Sequence, residues 1–283
     1  MSTFEDFKGQ KPAWCPGCGN FGILTAFKKV VVDLGLEPHE ITLVSGIGQS
    51  GKFPHYTKCN TFNGLHGRTL PVATGIRLAN HSMRVAAFAG DGDCYGEGGN
   101  HWLHAMRRNI DVKLFVHDNQ VYGLTKGQAS PTSLAGMKTP TQPLGVMMEE
   151  LNPVAVAITM GCSFVARGFS GDTDQLAALM KAAFEHRGFT LVDIFQPCVS
   201  FNHLNTYAWY RQRIYTLEEE YDPGDRMKAY SRALEFGDRI PTGILYKDER
   251  ATYEDRLPVL DDMPLVHRPF EPGSLEATMA EFY

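Results

Sequence analysis

Two short stretches hold the residues best suited to binding a charged ligand: Gly90-Asp91-Gly92-Asp93, and further on Asp118-Asn119-Gln120-Val121-Tyr122-Gly123. The first closes an apolar run at 85–89 and the second closes another at 112–116, with an amphipathic segment at 100–109 between them. That is a strand–helix–strand unit of right-handed crossover size. In adjacent parallel strands, Asp91 and Asn119 stand side by side just beyond the strand ends. Two such side-chain oxygens, with room left for phosphate oxygens and water, suit an octahedral magnesium ion. The glycines around Asp91 let backbone amides approach a diphosphate closely. The chemistry expected is that of a metal–diphosphate pocket.

Two other motif readings fail. As a calcium loop, Asp91, Asp93, Tyr95 and Gly96 half-match, but the twelfth position is Trp102 where a bidentate glutamate is needed. Gly46-Ile47-Gly48-Gln49-Ser50-Gly51 satisfies the dinucleotide fingerprint, yet Pro54 argues against a helix opening at 52–56. No acidic residue follows at the distance needed to hold a ribose. The expectation is a tight glycine loop at a strand end, able to touch a cofactor but not wound around NAD.

The elements that position these residues alternate along the chain. Residues 23–34 and 68–79 have helical spacing, and 41–44 reads as a strand. Strand 85–89, helix 98–108 and strand 112–116 follow. A long loop with Pro131, Pro140 and Pro143 leads to a helix capped by Asn152 with Pro153 in its first turn. Then come a strand at 162–165, a helix at 172–185 capped by Asp172 and closed by Gly188, and a final strand at 191–195. This is an α/β fold, a doubly wound, mainly parallel sheet over residues 1–200. Beyond that, residues 201–283 form an extension with exposed aromatics, suited to packing on the core or on a partner subunit.

The 283 residues suffice for one large domain, and 43% hydrophobic with 21% charged residues is ordinary globular composition. A formal net charge of −5 argues against nucleic-acid binding. No apolar run is long enough to span a bilayer and the start has no secretory signal, so the expected location is cytoplasmic. Six cysteines are then better read as ligands or core residues than as disulfides.

In an open α/β sheet, ligands sit beyond the carboxyl ends of the strands. Loop 46–51, His66, 90–93, 119–123 and Cys198 all fall on that edge, as do Cys15 and Cys18 before the first helix, whereas Cys162 lies at the opposite edge as a core residue. Trp14-Cys15-Pro16-Gly17-Cys18-Gly19 has chelating spacing. A thioredoxin-type pair is disfavoured because no strand precedes it. On spacing alone, a zinc site and an iron–sulfur cluster stay level, with Cys198 available as a further thiolate.

The first 200 residues resemble the β subunit of 2-oxoacid:ferredoxin oxidoreductases. The resemblance rests on Trp-Cys-Pro-Gly-Cys-Gly at 14–19, Ser-Gly-Ile-Gly at 45–48, Leu-His-Gly-Arg at 65–68, Gly-Asp-Gly-Asp at 90–93 and Tyr-Gly-Leu-Thr-Lys-Gly-Gln at 122–128. It implies a thiamine diphosphate fold with magnesium held by Asp91, Asn119 and the backbone oxygen of Val121. It further implies contacts to the thiamine cofactor from Ile47, Gly48, Gln49, Ser50, His66, Gly92, Asp93, Gly123 and Leu124. A [4Fe-4S] cluster would use Cys15, Cys18 and Cys198. The family's remaining cysteine, in Ile-Gly-Cys-Ser, is Gln49 here, and an amide is a poor iron ligand. Cys59, ten residues further on, is the expected substitute, ahead of Cys94.

The implied activity is CoA-dependent oxidative decarboxylation of a 2-oxoacid, with 2-oxoglutarate favoured by the 122–128 loop, and transfer of electrons to ferredoxin. Thiamine diphosphate supplies the electron sink. His66 and Lys126 are the catalytic candidates, His66 as a donor to phosphate or substrate and Lys126 as an attractor of the substrate carboxylate. The glutamate that activates the cofactor is expected from a partner α subunit, so the chain alone should be inactive. The alternatives are a cluster-free thiamine decarboxylase or synthase subunit, and a non-catalytic zinc-binding assembly module.

Overall fold

The computed structural model describes residues 2–269 and 272–283. Its central feature is an eight-stranded sheet in the order β2-β1-β3-β4-β6-β5-β8-β7. The strands are β1 (Ile41–Ser45), β2 (Asn60–Asn63), β3 (Arg84–Gly90), β4 (Lys113–Asp118), β5 (Phe164–Phe169), β6 (Thr190–Phe195), β7 (Ile214–Thr216) and β8 (Ile240–Lys247). All neighbouring pairs run parallel except β5 with β8.

Alternation along each strand sends side chains to two cores. From β3, Val85, Ala87 and Ala89 enter one cluster while Ala86 and Phe88 enter the other. The first face is covered by α2 (Thr69–Ala79), α3 (Gly99–Arg108), α4 (Pro153–Thr159) and α7 (Arg226–Ala233), whose Leu70, Trp102, Val154 and Ala229 join that cluster. The second is covered by α1 (Asn20–Asp33) and α5 (Thr173–Glu185), through Phe27 and Leu176 among others. Phe88 stacks on Phe53 at 4.0 Å between ring centroids and meets Phe27 edge-on at 5.3 Å. Truncating such a buried ring costs about 3–5 kcal/mol. The doubly wound, mainly parallel architecture expected from the sequence is present. Asn152 and Asp172 cap α4 and α5 by accepting from the amides of Ala155 and Gln175.

Four features differ from the sequence reading. Residues Ser50–Tyr56 form a 3-10 helix despite Pro54. Proline lacks a donor but not an acceptor, and its carbonyl accepts from the Thr57 amide at 3.4 Å. The short β2 was not foreseen, because four exposed polar-rich residues carry no apolar pattern. The strand read at 162–165 is shifted, running Phe164–Phe169. Nor is the strand ending at Phe195 the last. Beyond α6 (Tyr207–Arg211), β8 returns antiparallel to β5 with a register shift at Val165/Ala166, and β7 pairs beside it. Much of the segment after residue 200 therefore extends the same sheet. Phe169, Phe195, Tyr210 and Ile240 make a small third core there. A final helix, α8 (Ser274–Ala280), ends the chain.

The chain leaves β1 toward β2 on one side, while β3 lies on the other. Loops at the carboxyl ends of β1 and β3 thus diverge and open a crevice, the usual ligand position in such sheets.

Candidate active site

Asp93 fastens the crevice together. Its Oδ1 accepts from the amides of Ile47 at 3.1 Å and Gly67 at 2.8 Å, and lies 2.6 Å from His66 Nδ1. Its Oδ2 accepts from the Thr69 hydroxyl at 3.1 Å. One buried carboxylate therefore locks the loop after β1 and the turn before α2 onto the end of β3. A Cβ on Gly46 would lie 2.1 Å from Asp93 Oδ2, so only glycine permits this approach. Between β3 and α3, residues Gly92–Glu97 form a π-helical turn, a feature frequent at functional sites.

Asp91 is buried at the start of this turn, and its Oδ2 accepts from the hydroxyls of Ser130 and Thr132. Gly90 pairs with His117 across β3 and β4, so the chain continues into Asp91 and Asn119 on adjacent tips, as the spacing requires. The Asn119 Oδ1 accepts from the Val121 amide at 3.0 Å, and its Nδ2 donates to Gln196 Oε1 at 3.2 Å. Gln120 between them is left-handed, φ 59°, which turns Val121 back toward the crevice.

The Thr132 hydroxyl is 2.8 Å from Asp91 Oδ2 and 2.7 Å from Asp118 Oδ1, yet it carries a single proton. One carboxyl must bring its own. Burial, then the charges of Asp193 and Asp91, push Asp118 well above the usual carboxylate range. Asp118 is thus the protonated member: it donates to Thr132, which donates to Asp91. Burial also raises Asp91, while the Ser130 and Thr132 hydroxyls pull it back.

Beneath this chain lies Asp193, pushed up to about 6 by burial against the opposing pull of Arg167 and of the Tyr95 hydroxyl, which donates to it at 2.7 Å. Arg167 is 1% exposed, and its Nε and Nη1 have no hydrogen-bond partner among the described residues. It borders a cavity of about 180 Å³ shared with Asp118, Thr132 and Asp193, polar and large enough for several waters. Three buried carboxyls against one buried guanidinium leave a local excess of potential negative charge below Asp91.

The crevice wall contains Ile47, Gly48, Gln49, Ser50, His66, Asp91, Gly92, Asp93, Asn119, Val121, Gly123 and Leu124. The structure therefore brings the candidate metal and cofactor residues to one place. Lys126 is the exception. It is exposed in a left-handed conformation, φ 74°, and Thr125 rather than Lys126 lines the crevice. Tyr122 also belongs to the wall, donating to Gly92 O at 3.3 Å and Glu97 Oε1 at 3.2 Å.

A second recess adjoins the first, lined by Trp14, Cys15, Cys18, Gln49, Gln196 and Cys198 among others. Asn119, Gly123 and Gln49 belong to both walls. The Cys18 thiol is pushed up to about 11, chiefly by burial, with Cys198 and Cys15 adding to the rise. Ser200 Oγ lies 3.1 Å from Cys15 Sγ, and Gln196 Nε2 3.5 Å from Cys18 Sγ. The structure does not bring Cys59 here, which corrects the expectation that it completes the set. Its neighbour Asn60 pairs with Thr42 near the start of β1, at the amino end of the strand whose carboxyl end carries loop 46–51, and burial pushes the Cys59 thiol up to about 12. Cys162 is buried in the core as expected.

The sequence reading missed Ser130, Thr132, Asp193, Arg167 and Gln196, and gave Asp118 no role of its own. The clue for the first two was a hydroxyl cluster, Ser130-Pro131-Thr132-Ser133, in a long loop with no periodicity. Asp193 and Arg167 sit mid-strand, where charged residues in apolar runs were the available signal.

Fold and crevice together define the cofactor-binding domain of a thiamine diphosphate enzyme. Residues 46–194 match the family described as the thiamine pyrophosphate enzyme, C-terminal TPP binding domain. Residues 198–262 match the family described as the C-terminal part of the pyruvate ferredoxin oxidoreductase β subunit. The chain is 46% identical over 258 residues to the 2-oxoacid:ferredoxin oxidoreductase subunit β of Saccharolobus solfataricus, covering 86% of this chain and 85% of that one. It is 44% identical over 268 residues to subunit β of 2-oxoacid:ferredoxin oxidoreductase 2 of Aeropyrum pernix, covering 90% and 87%. A solved 2-oxoglutarate:ferredoxin oxidoreductase from Magnetococcus marinus, with 2-oxoglutarate, coenzyme A and succinyl-CoA bound, superposes with a TM-score of 0.92 at 35% identity, over 99% of this chain and 96% of that one. The chain belongs to the family of 2-oxoacid:ferredoxin oxidoreductase β subunits, enzymes that act with a partner subunit.

Proposed function

We propose that this chain is the cofactor-bearing subunit of a 2-oxoglutarate:ferredoxin oxidoreductase, forming succinyl-CoA and carbon dioxide with an α subunit and delivering electrons to ferredoxin through a [4Fe-4S] cluster. The observation that carries this reading is the convergence of Asp91, Asn119 and Val121 with loop 47–50 in one crevice, one wall away from three thiols. The substrate follows the solved relative with 2-oxoglutarate bound.

The residues fit a magnesium diphosphate. With Asp118 protonated and Asp193 set against Arg167, the buried Asp91 carboxylate lacks a counter-charge, and Ser130 and Thr132 occupy only Oδ2, leaving Oδ1 without a side-chain donor among the described residues. Asp91, Asn119 and the Val121 carbonyl would hold the ion. Gly92 lies in the crevice wall against the Tyr122 ring, and the amides of this turn are the donors to phosphate oxygens in this reading. When bound, thiamine diphosphate supplies the nucleophile and electron sink that free the carboxylate as carbon dioxide. His66 lines the crevice with its Nδ1 held 2.6 Å from Asp93 Oδ1 and its Nε2 3.9 Å from Glu97 Oε1, and is the group that contacts substrate or phosphate in this reading. Lys126 stands outside the wall, placed to attract a dicarboxylate during entry rather than to touch it during reaction. Cys15, Cys18 and Cys198 hold the cluster, and the soft donor set favours iron–sulfur over a hard ion.

The assembled enzyme, purified without oxygen, should reduce ferredoxin with 2-oxoglutarate and coenzyme A, and isolated β chain should not. Asp91→Asn should weaken thiamine diphosphate binding at least about tenfold, equivalent to about 1.4 kcal/mol. Absence of 2-oxoacid-dependent reduction by the loaded complex would overturn the reading; a preference for pyruvate would overturn the substrate.

A further inference from the structure

Gln49 occupies a singular position. Its carbonyl accepts from the Trp14 indole at 2.8 Å, pinning it beside the loop that carries Cys15 and Cys18. Its side-chain Oε1 is shielded from solvent and has no hydrogen-bond partner among the described residues. A buried amide oxygen left unpaired is costly unless something satisfies it. Gln49 lines the same recess as Cys15, Cys18 and Cys198.

No fourth thiol reaches that recess among the described residues. Cys59 lies at the other end of β1, Cys94 belongs to the turn 92–97 with its side chain in the core, and Cys162 is buried at the opposite edge of the sheet. The recess thus offers three thiols, and among its lining residues Gln49 brings the one buried side-chain oxygen or nitrogen without a partner in the described structure.

We propose that the cluster held by Cys15, Cys18 and Cys198 has one iron whose only protein donor is the Gln49 amide oxygen, making that iron removable. This rests on the cluster assigned above. A neutral oxygen donor is harder and weaker toward iron than a thiolate. Replacing a thiolate by an amide also removes one negative charge from the ligand shell, and net charge is a principal determinant of cluster potential. The unique iron therefore departs first on oxidation. A mild one-electron oxidant such as ferricyanide takes one electron from the four-iron cluster, one iron leaves as Fe(II), and a three-iron, four-sulfide core stays on the three cysteines. Fe(II) with one electron from dithionite reverses the step.

The test uses the assembled enzyme, purified anaerobically, titrated with ferricyanide and followed by iron analysis and low-temperature EPR. Wild type should lose one iron per cluster and gain a three-iron signal that Fe(II) and dithionite abolish. Gln49→Cys should keep its iron and lower that signal about tenfold, since a full thiolate shell is the preferred one. Gln49→Ala should carry the three-iron form as isolated, and Cys59→Ala should match wild type. The proposal is overturned if wild type keeps all its iron through the titration, or if Gln49→Cys yields as much three-iron signal as wild type. If Gln49→Cys does not assemble, the wild-type titration and Gln49→Ala decide. Preparations that hold no iron and sulfide even after anaerobic reconstitution overturn the cluster itself, a separate failure.

Discussion

Thr132→Val removes the hydroxyl that joins two buried carboxyls while keeping the side chain's shape. Asp91 loses one hydrogen bond to a charged acceptor, worth about 1.5–3 kcal/mol, and the Asp118 proton loses its acceptor, at about 1–3 kcal/mol. Thr132 borders the cavity of about 180 Å³, so water can enter and replace part of this loss. A net destabilisation of about 3 kcal/mol is expected, or a fall in Tm of roughly 6–12 °C for a chain of this size. Thr132→Ser keeps both bonds and should stay within about 1 kcal/mol of wild type. The assay is thermal unfolding of the assembled enzyme in EDTA, with thiamine diphosphate titration in magnesium as the second readout. Since Thr132 orients Asp91, the valine variant should bind cofactor more weakly yet approach wild-type kcat at saturation. A Tm within about 2 °C of wild type, or a serine variant as damaged as the valine one, refutes the shared-proton chain.

Two further expectations follow from the same edge. A Cβ at Gly92 would lie 2.2 Å from the Tyr122 ring, so Gly92→Ala must displace that ring from the crevice wall; cofactor affinity should fall about tenfold or more with the fold intact, and unchanged affinity by calorimetry would contradict the packing. The folded chain holds the Asp193 proton up to about 6, whereas an unfolded chain releases it near the ordinary aspartate value of 3.8. Its contribution is fully present below that lower value and is lost as pH rises through about 6. Without divalent cation, wild type should therefore weaken across this window more than Asp193→Asn does; identical pH dependence of unfolding in the two proteins would disprove it.

Where burial patterns were strong the sequence announced the structure. The runs 85–89 and 114–116 are apolar throughout because both faces of β3 and β4 are covered, and the strand tips fall where the crossover puts them. Asn152 and Asp172 announced their helices through capping chemistry. Other features depend on long-range packing. The hydroxyl cluster at 130–133 is visible in the sequence, but nothing ties it to Asp91, about forty residues away, because a loop returning over the site has no period. Pro54 argued against a helix, and the burial of Phe53 against Phe88 overrode it. Cys59 looked adjacent in sequence to Gln49, but β2 carries the chain back to the far end of β1. Strand β8 was missed because its Gly243 and Pro241 weaken the strand pattern, while pairing with β5 supplies what propensity lacks.

Gln49, Asn119 and Gly123 face the crevice on one side and the thiols on the other. With the cluster proposed above seated on the thiols, this shared wall would fix how far an electron travels between the two chambers. It also couples their maintenance: any bulk added at Gly123 thickens the barrier, and any breach admits water to both compartments at once. Exchange rate and solvent exclusion are thus governed by the same few atoms, so neither can be tuned without altering the other.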